Sequence, residues 1–108
     1  MEKLSFEDFQ KIELKIGKIV SAEKMEKSDK LLKLEVNFGE ESRQVISGIA
    51  KEYSLDDLIG KSFVFVTNLE PRSIMGLESQ AMILAAAVDD KAVLVEPDKE
   101  TPAGTRLR

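Results

Sequence analysis

Ile12-Glu13-Leu14-Lys15-Ile16-Gly17-Lys18-Ile19-Val20 is the stretch on which the fold turns. From Ile12 to Ile16 apolar and polar residues alternate, the period-two pattern of a strand with one buried face. Gly17 interrupts the pattern and Ile19-Val20 follow. A glycine inside a strand pattern marks a bulge or a bend. A long first strand bent in this way is what a small barrel needs to close on itself.

On the N-terminal side, Ser5-Phe6-Glu7-Asp8 has capping-box spacing. It predicts a short helical turn over Ser5 to Gln10, with Phe6 and Phe9 facing inward. On the C-terminal side, Met25 to Asp29 is a polar break. Leu32 to Phe38 alternates again and ends at Gly39, with Lys33 and Glu35 on one face and Leu32, Leu34 and Val36 on the other. Glu40-Glu41-Ser42 turns the chain, and Arg43 to Ser47 is the return strand of a hairpin. Ser54 to Asp57 forms a second capping box; Leu55, Leu58 and Ile59 share an apolar side, and Gly60 sits at the helix C-terminus. Ser62 to Asn68 is a strand, Leu69 to Gly76 a loop holding Pro71, and Met82 to Val88 an almost wholly apolar strand. Asp89-Asp90 turns into a sixth strand over Ala92 to Val95, and the tail from Pro97 is irregular.

Three strands, a short helix and further strands predict an all-β protein. The architecture is the OB-fold, a five-stranded Greek-key barrel with a short helix between strands 3 and 4 and extra C-terminal strands. A β-sandwich carries more strands and no such helix. A chain of 108 residues encloses one core, so residues 1–108 read as a single domain. Its N-terminal helical turn covers about 1–10, and its C-terminal hairpin and tail about 88–108.

Composition removes most chemistry. The chain has no Cys and no His, so disulfides, zinc sites on those ligands and His-based acid–base catalysis are absent. No EF-hand-like loop offers oxygen ligands to a hard cation, and no metal or cofactor is expected. Ser47, in Ile46-Ser47-Gly48-Ile49, has no conventional base to activate it. Gly39, Gly48 and Gly60 are too scattered to cradle a phosphate. The chain therefore reads as a binding domain and not an enzyme. Its longest apolar run, Ala81 to Val88, is too short to span a bilayer, and acids stand where a signal peptide is apolar, which places the protein in the cytoplasm. The net charge of −4 does not announce nucleic-acid binding, although a local basic face can act on such a surface.

Two segments carry candidate contacts. Ser28 to Val36 places Lys30 at a strand entrance. Asn68-Leu69-Glu70-Pro71-Arg72 through Gln80-Ala81-Met82 leaves one strand and enters another, offering Asn68, Arg72, Ser79 and Gln80 to phosphate, ribose or base edges. Read alone, the first is a solvated strand face, and the second is equally a connector with a satisfied asparagine turn.

Together with Ile12 to Ile19, Asp29 to Val36 and Arg43 to Ala50, the segment Asn68 to Ala86 resembles the tRNA-binding domain family, found at the C-terminus of many bacterial methionyl-tRNA synthetases and as free-standing proteins. The resemblance runs from about Phe6 to the end. It implies an OB-fold that binds the outer corner of tRNA by shape, with binding positions at Lys30, Arg43, Ser47, Asn68, Arg72, Ser79 and Met82. It also implies a homodimer through the final strands and tail, and methionyl-tRNA synthetase as a partner. The chain departs from the family at Ser73, where lysine is common, and at Ala81, where glycine is common.

On this reading Lys30, Arg43 and Arg72 neutralise phosphates, while Asn68 and Ser79 bond to phosphate or ribose oxygens. Met82 either supplies an apolar edge to RNA or packs in the core. Single-strand binders stack bases on exposed aromatics, and across the second and third strands only Phe38 is aromatic. The rival reading is a dimeric chaperone-like or synthetase-associated module that binds protein.

Overall fold

The computed structural model describes residues 1–108. In chain order the elements are α1 (Phe6–Gln10), β1 (Leu14–Lys24), β2 (Leu32–Asn37), β3 (Ser42–Ser47), α2 (Leu55–Leu58), β4 (Ser62–Val66), β5 (Arg72–Ile74), β6 (Leu77–Ser79), β7 (Met82–Ile83), β8 (Ala85–Val88) and β9 (Lys91–Leu94). The main sheet has the order β3-β2-β1-β4-β7, antiparallel throughout, and two small hairpins, β5-β6 and β8-β9, are attached to it.

β1 closes the barrel by serving two neighbours. Its first half, Leu14 to Lys18, pairs with β4, and its second half, Lys18 to Lys24, pairs with β2. The expected bend is therefore present, but the register slips between Ile19 and Ser21, three residues past the glycine. Gly17 serves a different purpose. A Cβ there would lie 2.6 Å from both Phe38 and Val36 and 2.9 Å from Phe65. β1 crosses directly over the edge-to-face pair Phe38–Phe65, whose ring centroids are 5.3 Å apart, and only glycine leaves room for it. Ile19, Leu32, Leu34, Val36, Val45, Leu58 and Phe65 complete a fully buried core.

The seam between β3 and the chain before β7 is stitched largely by side chains. Gln80 N–H donates to the Gln44 carbonyl at 2.8 Å. The next two donors on that edge, Gln44 N–H and Ile46 N–H, are met by Gln80 Oε1 at 2.9 Å and Ser79 Oγ at 3.0 Å. A sheet edge left open here would bury unpaired amides, so these two side chains complete the barrel.

Three expectations are corrected. Phe6 and Phe9 do not face inward: they are 70% and 38% exposed, because α1 is only five residues long and buries none of its side chains. The segment Leu69 to Gly76 is not a plain loop, since Arg72 to Ser79 folds into the β5-β6 hairpin. Met82 to Val88 is not one strand: β7 stops at Ile83 and β8 begins at Ala85, as the chain leaves the barrel for the β8-β9 hairpin. That hairpin is tied back through Val64 N–H to the Val95 carbonyl, and through Glu52 and Tyr53 side chains that accept from Ala92 and Leu94 N–H. All four residues of β8 are exposed.

Candidate nucleic-acid interface

Alternation on β2 and β3 puts Leu34 and Val45 inward and sends Lys33, Glu35 and Gln44 outward. This outer face is flanked on one side by the β1-β2 loop and on the other by the β5-β6 hairpin. Between them runs an open groove of about 460 Å³, lined by Lys24, Met25, Lys27, Lys33, Met75 and Leu77 together with Glu23 and Glu26. A second concavity shares Glu23 and Lys33 and continues over Ser21, Glu35, Ser42 and Gln44. In an OB-fold this face and these two loops form the ligand groove.

The sequence-predicted residues divide by what their side chains already hold. Lys30 and Arg72 are exposed and form no ion pair. Lys30 is fixed through its backbone alone: its N–H donates to Ser28 Oγ and its carbonyl accepts from Ala50 N–H. Arg72 pairs with Ser79 in the hairpin, and both line a small cleft with Met82, which is 41% exposed. Arg43 lines the second concavity but is half-buried and held by its neighbours. Its guanidinium lies 5.7 Å from the centre of the Phe38 ring, pairs with Glu41 at 2.6 Å, and donates to the carbonyls of Thr67 and Gln80. Asn68 accepts from Glu13 N–H at 2.8 Å and donates to the Lys11 carbonyl, which ties the β4 exit to the β1 entrance. Ser79 is 7% exposed; its hydroxyl accepts from Ile46 N–H and donates to the Ala81 carbonyl at 3.1 Å. Ser47 is half-buried opposite Leu32, near Lys30 and at the far end of β3 from Arg43. Ala81 packs in the core, so its methyl group does not face the groove.

Ser79 thus holds the barrel shut. Ser79→Ala strands the buried Ile46 amide and is expected to cost about 1–3 kcal/mol of stability, the desolvation penalty of one unpaired group. Urea unfolding followed by circular dichroism reads this directly; a midpoint equal to wild type would show that the seam does not need the hydroxyl.

Sequence reading passed over Lys24 and Lys27 by treating Met25 to Asp29 as a polar break. The missed signal was spacing. Lys24, Lys27, Lys30 and Lys33 recur every third residue through the end of β1, the turn and the start of β2. Only Lys33 of the four is ion-paired, to Glu23 at 2.7 Å. Two carboxylates are held below their usual range, both outside the groove. Thr67 donates to Glu13 at 2.6 Å, helped by the charges of Lys15 and Arg106, and Ser54 caps Asp57. No three potential metal ligands gather anywhere, and no helix is long and apolar enough to cross a membrane.

Comparison with known proteins places the chain in a family. The family described as "Putative tRNA binding domain" matches residues 14–106. The chain belongs to that tRNA-binding domain family. The methionine–tRNA ligase of Archaeoglobus fulgidus is 51% identical over 106 residues, which is 98% of this domain and 16% of the ligase. The domain therefore spans about one sixth of the curated relatives it matches. A MetRS related protein from Pyrococcus horikoshii superposes with a TM-score of 0.94 at 39% identity, covering both chains fully. The chaperone CsaA from Bacillus anthracis str. Ames superposes with a TM-score of 0.91 at 34% identity, over 99% of this domain and 100% of that chain.

Proposed function

We propose that this domain is a non-catalytic module that binds structured RNA, and tRNA in particular, on the outer face of β2-β3. The observation that carries the proposal is a set of free cations. In a chain of net charge −4, exposed Lys24, Lys27, Lys30 and Arg72 lie on the β1-β2 connection and the β5-β6 hairpin that flank one groove, and none of them is held in an ion pair, although Glu26, Glu70 and Glu78 stand on the same segments. Phosphates drawn there release condensed counterions, which favours binding without regard to sequence. Shape then selects the partner. The face carries no exposed aromatic on which successive single-stranded bases would stack, since Phe38 is buried in the core. Membership of the tRNA-binding family supports the choice of tRNA.

The same proposal extends to assembly. The exposed β8 strand, Ala85 to Val88, with Val93 and Val95 beside it, is an apolar edge that a second copy covers in a homodimer. Sedimentation equilibrium showing only a 12.0 kDa species at micromolar concentration would reject that dimer. The relatedness to methionine–tRNA ligases supports a cytoplasmic role beside such a ligase.

The likeness to a chaperone favours one second reading, a module that binds unfolded polypeptide through the same groove. Mobility shift of bulk tRNA, with a permanently unfolded protein as competitor, separates the two. Retained tRNA binding is expected at a hundredfold excess of the polypeptide; full displacement would assign the groove to protein.

A further inference from the structure

We infer that the groove between the β1-β2 loop and the β5-β6 hairpin is a nucleotide subsite, in which an unpaired base of a folded RNA rests on Met75 and Met25. The inference deepens the tRNA-binding reading and rests on it. It starts from a residue that its own turn should not tolerate. Ile74 pairs with Leu77, so Met75 and Gly76 are the two central residues of a two-residue hairpin turn. Their φ angles are +50° and +82°. A turn with both centres left-handed favours Asn, Asp or Gly, because a longer L side chain crowds the backbone there. The chain follows this rule in its other such turn, where Asp89 and Asp90 have φ of +50° and +64°. Methionine at the first centre is the exception.

Core packing does not account for it, since Met75 is 52% exposed. The side chain lines the groove instead, in company with Met25, Leu77, Lys24 and Lys27. Apolar and cationic side chains on one concave lining match one nucleotide: a base face against the methionines and its phosphate against a lysine. The groove volume of about 460 Å³ falls within the range of small-ligand sites. Glu23 and Glu26 also line it, but Glu23 is already paired with Lys33. A thioether is polarizable and flexible, and it supplies the base contact that aromatics provide in other RNA binders. A continuous duplex cannot use these methionines, because its base faces are covered by stacking; a loop or an end can.

The test substitutes the residue the turn prefers. Met75→Asn creates an Asn-Gly turn, so the hairpin is preserved, with a thermal midpoint at or above wild type as the control. Both proteins are titrated with bulk tRNA and with a fully paired RNA duplex of similar length. The expected result is a loss of about tenfold in tRNA affinity, the scale of one lost base contact. Duplex affinity and the salt dependence stay as in wild type, because no phosphate contact is removed. Wild-type affinity of Met75→Asn for tRNA, or an equal loss on both RNAs, overturns the subsite while leaving the tRNA reading intact. Failure of the wild-type protein to bind tRNA overturns that reading and this inference with it.

Discussion

Replacing Lys24, Lys27, Lys30 and Arg72 together by alanine is expected to weaken tRNA binding by on the order of a thousandfold at about 0.1 M salt. The size follows from counterion release. Each phosphate contact contributes roughly one unit to the slope of log affinity against log salt. One decade below molar salt, each contact is therefore worth about five- to eightfold, and four compound to about three decades. The slope itself should fall by about four units, and Arg72→Ala alone should lower it by about one. Since all four side chains are exposed and unpaired, removing them leaves no buried group unsatisfied, so the fold should be unaffected. The control removes Lys3, Lys11, Lys18 and Lys61, four exposed charges outside the β1-β2 loop, the β5-β6 hairpin and the C-terminal hairpin and tail. An equal loss in that control would mean that net charge, and not this face, governs affinity.

The second large effect concerns the core. Phe65→Ala is expected to cost about 3–5 kcal/mol, out of the 5–15 kcal/mol that holds a domain of this size folded. Phe65 is fully buried, sits in β4 opposite Lys15 of β1, and supports the Phe38 ring over which Gly17 passes. Removing it deletes the floor of the β1 crossing, and the rigid barrel around it collapses only in part. Phe38 in turn carries the Arg43 guanidinium, which braces the Thr67 and Gln80 carbonyls at the root of the β5-β6 hairpin. Denaturant unfolding should show the lost stability, and tRNA binding at low temperature should persist in whatever fraction remains folded. A cost below about 1 kcal/mol would contradict this account of how the barrel closes.

What the sequence made legible was what short-range periodicity encodes. The alternation of Leu32 to Phe38, the Ser54–Asp57 capping box and Gly60 (φ +86°) at the end of α2 are local signals, and each stands where local physics puts it; at α1 only half of the expected box forms, since Ser5 accepts from Asp8 N–H while the Asp8 carboxylate pairs with Lys11. The sequence was less legible wherever a side chain acts across the chain. Ser79 and Gln80 resemble RNA ligands in a linear reading, yet they complete the edge of β3 more than thirty residues away. Arg43, expected at a phosphate, and Asn68, expected at a phosphate or ribose oxygen, also hold backbone carbonyls and amides at the barrel end, which no local pattern announces. The β5-β6 hairpin was hidden because methionine is not a turn residue, so nothing marked Met75-Gly76 as a reversal. Of the expected contacts, Lys30, Asn68, Arg72 and Met82 are exposed, and Lys24 and Lys27 join them through folding of the β1-β2 loop.

The most direct measurement is a titration of the wild-type domain with tRNA, duplex RNA and single-stranded RNA at a series of salt concentrations. A non-aromatic groove flanked by free cations that reads folded RNA requires the tightest binding to tRNA and an affinity that falls by several log units per log unit of salt. Equal affinity for all three RNAs, or a slope near zero with tRNA, would contradict it.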